Sequence, residues 1–423
     1  MSDAIRRVTL HNGLRVVIQR VPGIYGAGVA VHYRVGFRTE SRGRSGFAHL
    51  FEHMMFQGSR NVAPGEHFAT VLAGGGTTNG NTFPDSTDYH QVFPVALLDR
   101  VLELEADRMT SLAVTQDNLD VQRDVVKEEI RTQVTGKPYG GFPWTVLPSA
   151  LFDKWENAHN GYGELADLDA ATIDDCVAFF DTYYAPGNAV LAVCGDIDPH
   201  ETLELVRRHF EPVPARAVPD PPDLAEPIAA RTRYGTHHDA LAPRPALAIG
   251  CRLPDATTDL RGYAAHLVLS HLLTSGSQAR LRTRLTPLGV QVATSPGLFG
   301  PLMVKDPDTF VIVVHHPPGT AQEITELITE EAAEVAAGKA TGAEIERAVA
   351  TAVTGLYQSM DSLAHRVGSL ARGELLWDRP TMADDFARAT TGIDADAVAA
   401  AAATVAGPGG RAVMSLLTKG PQA

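Results

Sequence analysis

The chain has 423 residues, 44 % of them hydrophobic and 20 % charged, with a formal net charge of −14. At roughly 100–200 residues per domain, two to four domains are expected, with core enough to fold without metal staples, so any bound metal serves function. The acidic balance excludes a nucleic-acid-binding role, which needs a basic footprint. The three cysteines, Cys176, Cys194 and Cys251, contain no CxxC and support neither a disulfide framework nor a thiolate zinc site.

Met1 to Gln19 has no apolar h-region and no small-residue cleavage site. No apolar run approaches the ~20 residues needed to cross a bilayer. A cytoplasmic protein without a membrane span is expected. In chain order, Val8 to Gln19 predicts a hairpin around Asn12-Gly13, the strongest short hairpin signal. A strand over Gly26–Val35 follows, then helices over Gly46–Phe56 and Pro64–Ala73. Thr77 to Pro94 reads as strands or a hairpin, preceded by a turn at Gly74-Gly75-Gly76. Helices follow at Leu97–Met109, Leu119–Gln133 and Asp175–Tyr184, and a buried strand at Ala189–Val193. The stretch from Glu211 to Pro227 is proline-rich, extended and suited to separating domains. Beyond it come a strand at Ala246–Cys251, a helix at Leu260–Leu273 and an alanine-rich helix including Ala397–Ala403. Gly46-Phe-Ala-His-Leu and Gly262-Tyr-Ala-Ala-His-Leu form a weak internal repeat, which suggests two related halves.

The chemistry lies in Phe47 to Phe56, FAHLFEHMMF. His49 and His53 are four residues apart, so on a helix they share one face and can reach one ion. Glu52 falls on the same side, placed to reach a metal-activated water without being a ligand. Two imidazoles, a carboxylate and an open position suit zinc. HxxEH is the inverted form of the HExxH zinc-peptidase motif. A third ligand is needed, and Val121 to Arg131, VQRDVVKEEIR, offers Glu128 or Glu129. These point about 100° apart on a helix, so only one faces the metal, and spacing alone does not choose.

With these residues in view, the chain resembles the pitrilysin-like peptidases (family M16), and within them the mitochondrial processing peptidase-like subfamily. The resemblance rests on Val35 to Glu40, the HxxEH helix, Gly76 to Tyr89, Leu104 to Met109, Arg123 to Ile130, Tyr183 to Asn188 and Cys194-Gly195-Asp196, in order through the first half. It implies an α+β fold of two homologous domains, each an antiparallel sheet of about six strands with helices on one face. The expected boundaries are 1–215 for the zinc-binding domain, 216–228 for the linker and 229–423 for the second domain. It implies Glu129 as the third zinc ligand, Gln122 behind it where relatives often carry an acid, and a peptide substrate adding as a strand near Asn79, Gly80 and Asn81. Relatives often have alanine at the position of Gly80.

Active relatives also carry an Arg–Tyr pair in the second domain that steadies the tetrahedral oxyanion. Here Thr286 and Val292 stand in those places. The implied enzyme is a zinc metalloendopeptidase subunit completed by a homologous chain that supplies the pair, acting on general peptides or on precursor leader peptides. The alternatives are a self-sufficient homodimer, using Arg282 or Arg284 for the oxyanion, and a non-catalytic structural subunit. His266 and His271 share no helix face, so no second metal site is expected there. His237-His238 and His315-His316 are expected to be solvated.

Overall fold

A computed structural model describes residues 5–418. The described residues form two compact units, one of residues 5–128, 161–222 and 358–383, the other of 129–160, 223–357 and 384–418.

The sheet of the first unit contains β1 (Arg6–Thr9), β2 (Arg15–Arg20), β3 (Ala27–Tyr33), β4 (Thr77–Thr82), β5 (Thr87–Phe93) and β6 (Ala189–Gly195), in the order β1-β2-β6-β3-β5-β4. The second unit holds β7 (Arg233–His238), β8 (Ala246–Arg252), β9 (Gln291–Pro296), β10 (Thr309–His315) and β11 (Arg411–Leu417), ordered β7-β11-β8-β10-β9. Each sheet is antiparallel except for one parallel pair, β2 with β6 and β7 with β11. The second order therefore matches the first strand for strand once β1 is removed, as a duplication requires. The β1–β2 turn closes as its sequence demands. Gly13 takes a φ of 91°, and the Asn12 side-chain amide donates to the carbonyls of Phe210 and Val213.

Every residue of β3 and of β6 is buried, which requires cover on both faces of the sheet. One face receives the motif helix (Phe47–Met54) and helix Leu98–Thr110: Tyr89, paired with Val31, donates to the Phe51 carbonyl and lies beneath the Arg108 guanidinium. The other face, with Val17, Ala30, Val190, Ala192 and Cys194, packs on Leu363, Val367, Leu370, Ala371 and Leu375 of helix Leu363–Trp377. That helix sits so close that a Cβ at Gly28 would lie 3.2 Å from both Leu363 and Val367. Arg7 and Arg15 tie its end to β1 and β2 through Glu374 and Asp378.

The second sheet is treated in kind. The short helix Leu147–Leu151 and Phe152 cover Ala248, Val311, Ala412 and Met414. Each sheet's second face is thus sealed by a segment from the other half of the sequence. Helices lie on both faces of each sheet, and each compact unit is drawn from several stretches of the sequence. Residues 211–232 contain no helix or strand, in keeping with a connector, but two exchanged segments pass outside that boundary. The α+β class and the two related, mostly antiparallel sheets are as expected, the second having five strands.

Candidate active site

The motif helix starts abruptly. Gly46 precedes it with a φ of 84°, and a Cβ there would lie 2.6 Å from the Tyr162 carbonyl oxygen, so glycine is required on both counts. No side chain of its own caps the helix; instead the buried Glu40 carboxylate accepts hydrogen bonds from the backbone N–H of Gly46 (2.9 Å) and Ala48 (2.8 Å). An acidic group at the positive end of a helix is favourable and anchors the first turn. Ser45, just before, donates its hydroxyl to Asp167 at 2.6 Å. The start of the helix is thus fixed from two sides.

His49 and His53 project from one face, their ring centroids 5.0 Å apart and their planes at 85°. Tyr162 stands edge-on to His49 at 5.0 Å. Helix Gln116–Ile130 brings Glu129 to the same point. One donor atom each from His49, His53 and Glu129 lie within 4.8 Å of one another. Tetrahedral zinc at 2.0–2.2 Å from its ligands asks for roughly 3.4 Å between them, a gap that small side-chain rotations close. The donor set, two imidazoles and one carboxylate, fits zinc, and no other such cluster occurs among the described residues. Of the two acids left open by spacing, Glu128 is exposed while Glu129 joins the cluster. Gln122, buried and seven residues before Glu129, shares its helix face beside buried Val126.

Glu52 lies outside the ligand trio and turns toward β4. Its Oε2 accepts a hydrogen bond from the Thr82 hydroxyl at 2.7 Å. β4 is the outermost strand of its sheet, paired only with β5, with Asn79 opposite His90, Gly80 opposite Tyr89 and Asn81 opposite Asp88. A Cβ at Gly80 would lie 3.0 Å from Glu52 Cγ, so residues 78, 80 and 82 face the motif helix. Asn79 and Asn81 therefore point to the other face, where the Asn81 amide donates to Asp88. Thr82, Glu40 and Tyr162 went unremarked as site residues in the sequence; for Thr82 the available signal was its period-two relation to Gly80.

Beneath the motif helix, Arg108 is buried, bonded to Glu105 through Nε at 2.8 Å, with its guanidinium over the rings of Tyr89 (4.3 Å) and Phe56 (5.2 Å). Tyr89 and Tyr184 hydroxyls meet at 3.2 Å, and burial pushes both phenols well above their ordinary range. These groups stay neutral and serve as a rigid floor.

In the second unit, Thr286 sits in the exposed turn Thr286–Leu288, and Val292 in β9 opposite Val314. Arg284 is bound to Glu330 and Glu331, and Arg280 to Glu331 and Glu344, while Arg282 is exposed. His266 is a core residue, its ring nitrogens on the Gly262 carbonyl and the Thr404 hydroxyl. His316 differs from expectation: it is buried, its backbone N–H donating to the Pro245 carbonyl at 3.1 Å and its Nδ1 lying 2.8 Å from the Pro317 carbonyl.

A sheet-and-helix duplication with an HxxEH helix and a remote glutamate at one point defines an inverted-motif peptidase fold. Two family models match the chain: Insulinase (Peptidase family M16) over residues 15–138, and Peptidase M16 inactive domain over residues 170–352. The chain belongs to peptidase family M16. It is 29 % identical over 348 residues to the zinc protease PqqE of Helicobacter pylori, spanning 80 % of this chain and 76 % of that one. It is 21 % identical over 388 residues to the mitochondrial-processing peptidase subunit beta of Saccharomyces cerevisiae, spanning 87 % and 81 %. The crystal structure of a protease from Helicobacter pylori superposes with a TM-score of 0.88 at 25 % identity, covering 98 % of this chain and 100 % of that one.

Proposed function

We propose that this chain is the zinc-binding subunit of a metalloendopeptidase that cuts extended peptides, including precursor leader peptides. The observation that carries the reading is the meeting of His49, His53 and Glu129 beside Glu52 and next to the open edge of β4. His49, His53 and Glu129 would hold the ion, with Gln122 behind Glu129 on the same helix face. A zinc ion bound there supplies a Lewis acid and a water acidified to a pKa of about 7. A substrate backbone adds to the free edge of β4 at Asn79, Gly80 and Asn81, so recognition is by main-chain pairing and tolerates many sequences. Glu52 accepts a proton from the attacking water and returns it to the departing amine. Tyr162 packs against His49 and helps fix its ring plane.

The second unit brings neither an arginine at 286 nor a tyrosine at 292. The oxyanion partner is therefore assigned to a second, homologous chain bearing that pair. That the yeast relative is named a subunit supports a paired enzyme. The pairing of Arg284 with Glu330 and Glu331 disfavours its use in a homodimer, while exposed Arg282 stays open to that role. The three buried cysteines, all free, favour the cytoplasm.

The purified chain is expected to bind one zinc ion, to cleave an unstructured peptide mixture poorly alone, and to cleave it well with the homologous chain. His49→Ala should abolish zinc binding and turnover together. Glu52→Gln should keep zinc while lowering turnover by roughly 10²–10⁴-fold. Full activity from the single chain would leave the zinc reading standing and remove the partner; absence of zinc binding would point to a structural subunit.

A further inference from the structure

The geometry points to Thr82 as a positioning residue for Glu52, with Gly80 leaving room beside it, an inference that rests on Glu52 being the base. Both lie on β4, two residues apart, and so face the motif helix together. The Thr82 hydroxyl donates to Glu52 Oε2 at 2.7 Å. A Cβ at position 80 would stand 3.0 Å from Glu52 Cγ and 3.3 Å from Oε1. One carboxylate oxygen is thus tied to residue 82, and the other lies over the bare backbone of residue 80.

The two residues act in complementary ways. Glutamate has a long side chain with several rotamers, and a hydrogen bond to a strand residue favours one of them. Thr82 is itself β-branched and stiff at χ1, so its hydroxyl is a fixed reference. Gly80 leaves the volume the carboxylate occupies; a methyl group there sits inside the range where a neighbour must give way. The Glu52 side chain would yield by a few tenths of an ångström while Thr82 still holds its carboxylate.

The consequence concerns registration. β4 is the strand to which the substrate backbone is proposed to add, and Glu52 is tethered to that same strand rather than only to its own helix. Base and scissile carbonyl are therefore held against one common element. A small shift of the strand moves both together, which preserves the alignment on which proton transfer depends.

The test uses the full chain, zinc-loaded, with the homologous partner present, in wild-type form and as Thr82→Val, Thr82→Ser, Gly80→Ala and Glu52→Gln. Zinc content should be unchanged in all five. Thr82→Val should lose roughly 10–100-fold in kcat with KM unchanged, and Thr82→Ser should recover most of it. Gly80→Ala, which installs the residue that relatives often carry, should lose far less, because Glu52 need yield only a few tenths of an ångström and keeps its tie to Thr82. A readout without turnover is the crystal structure of Thr82→Val, in which the Glu52 carboxylate should leave the position beside β4. Wild-type kcat in Thr82→Val, an unmoved carboxylate, or loss of zinc from that variant would overturn the inference. An inactive Glu52→Gln beside a fully active Thr82→Val would sink the positioning role alone; a fully active Glu52→Gln would sink the base assignment as well.

Discussion

Three buried histidines contribute to how this protein meets acid. Burial lowers His32 to about 3, and His67 and His266 to about 4, in each case chiefly because a charged imidazole would lose its water. In the unfolded chain each would take a proton near pH 6.5. The unfolded state therefore binds more protons than the native state between about 6.5 and these lower values, and stability falls as pH drops through that window. The melting temperature should be flat above neutral pH and decline steadily below about 6.5. His266→Gln, which can still reach the Thr404 hydroxyl, should melt with a shallower pH dependence. An unchanged slope would show that His266 does not contribute to the acid response.

At the scale of elements, the helix covering β3 and β6 from residues 363–377 is the feature with most leverage. Leu375 is fully buried there, and Leu375→Ala should cost about 2–5 kcal/mol. Hydrogen exchange should show the lost protection in β3 and β6, far earlier in the chain, while β8 and β10 keep theirs. Equal loss in both sheets would contradict the division into units. How legible such elements were depended on the range of the information. The motif helix, the β1–β2 hairpin and β4–β5 were readable because periodicity and turn chemistry are local. Glu129 was separable from Glu128 only through resemblance; the structure separates them by burial. Thr82 could not be seen as a partner of Glu52, because thirty positions of chain lie between them and only the meeting of strand and helix joins them. β4 itself is polar, Thr-Thr-Asn-Gly-Asn-Thr, which keeps an open edge from pairing with other copies through apolar contacts.

At the scale of the whole molecule, two sheets of matching order arise from two halves that trade segments. The proline-rich connector at 211–227 reads as a domain boundary, and the chain there is irregular. The exchange of segments was not legible in the sequence, since nothing in residues 129–160 or 358–383 announces which sheet they will cover. All-buried β3 and β6 did carry a hint: near-continuous apolar strands need two covers, and the first half offers helices enough for one face. A polypeptide of residues 1–222 should therefore lack a cooperative urea transition and bind hydrophobic dye, because its sheet keeps one bare face. A sharp two-state transition from that fragment would show that the covering helix is dispensable.

Synthesis on the ribosome puts a clock on this arrangement. β6 is complete at Gly195, yet the helix that seals it begins only at Leu363. At ~5–20 residues per second, the nascent first sheet waits on the order of ten to thirty seconds with a greasy face uncovered. Most proteins can finish an amino-terminal domain before the next is made; here the first sheet is sealed only once Trp377 has been made. Its dependence on holding chaperones should accordingly be set by elongation speed across the second half of the message.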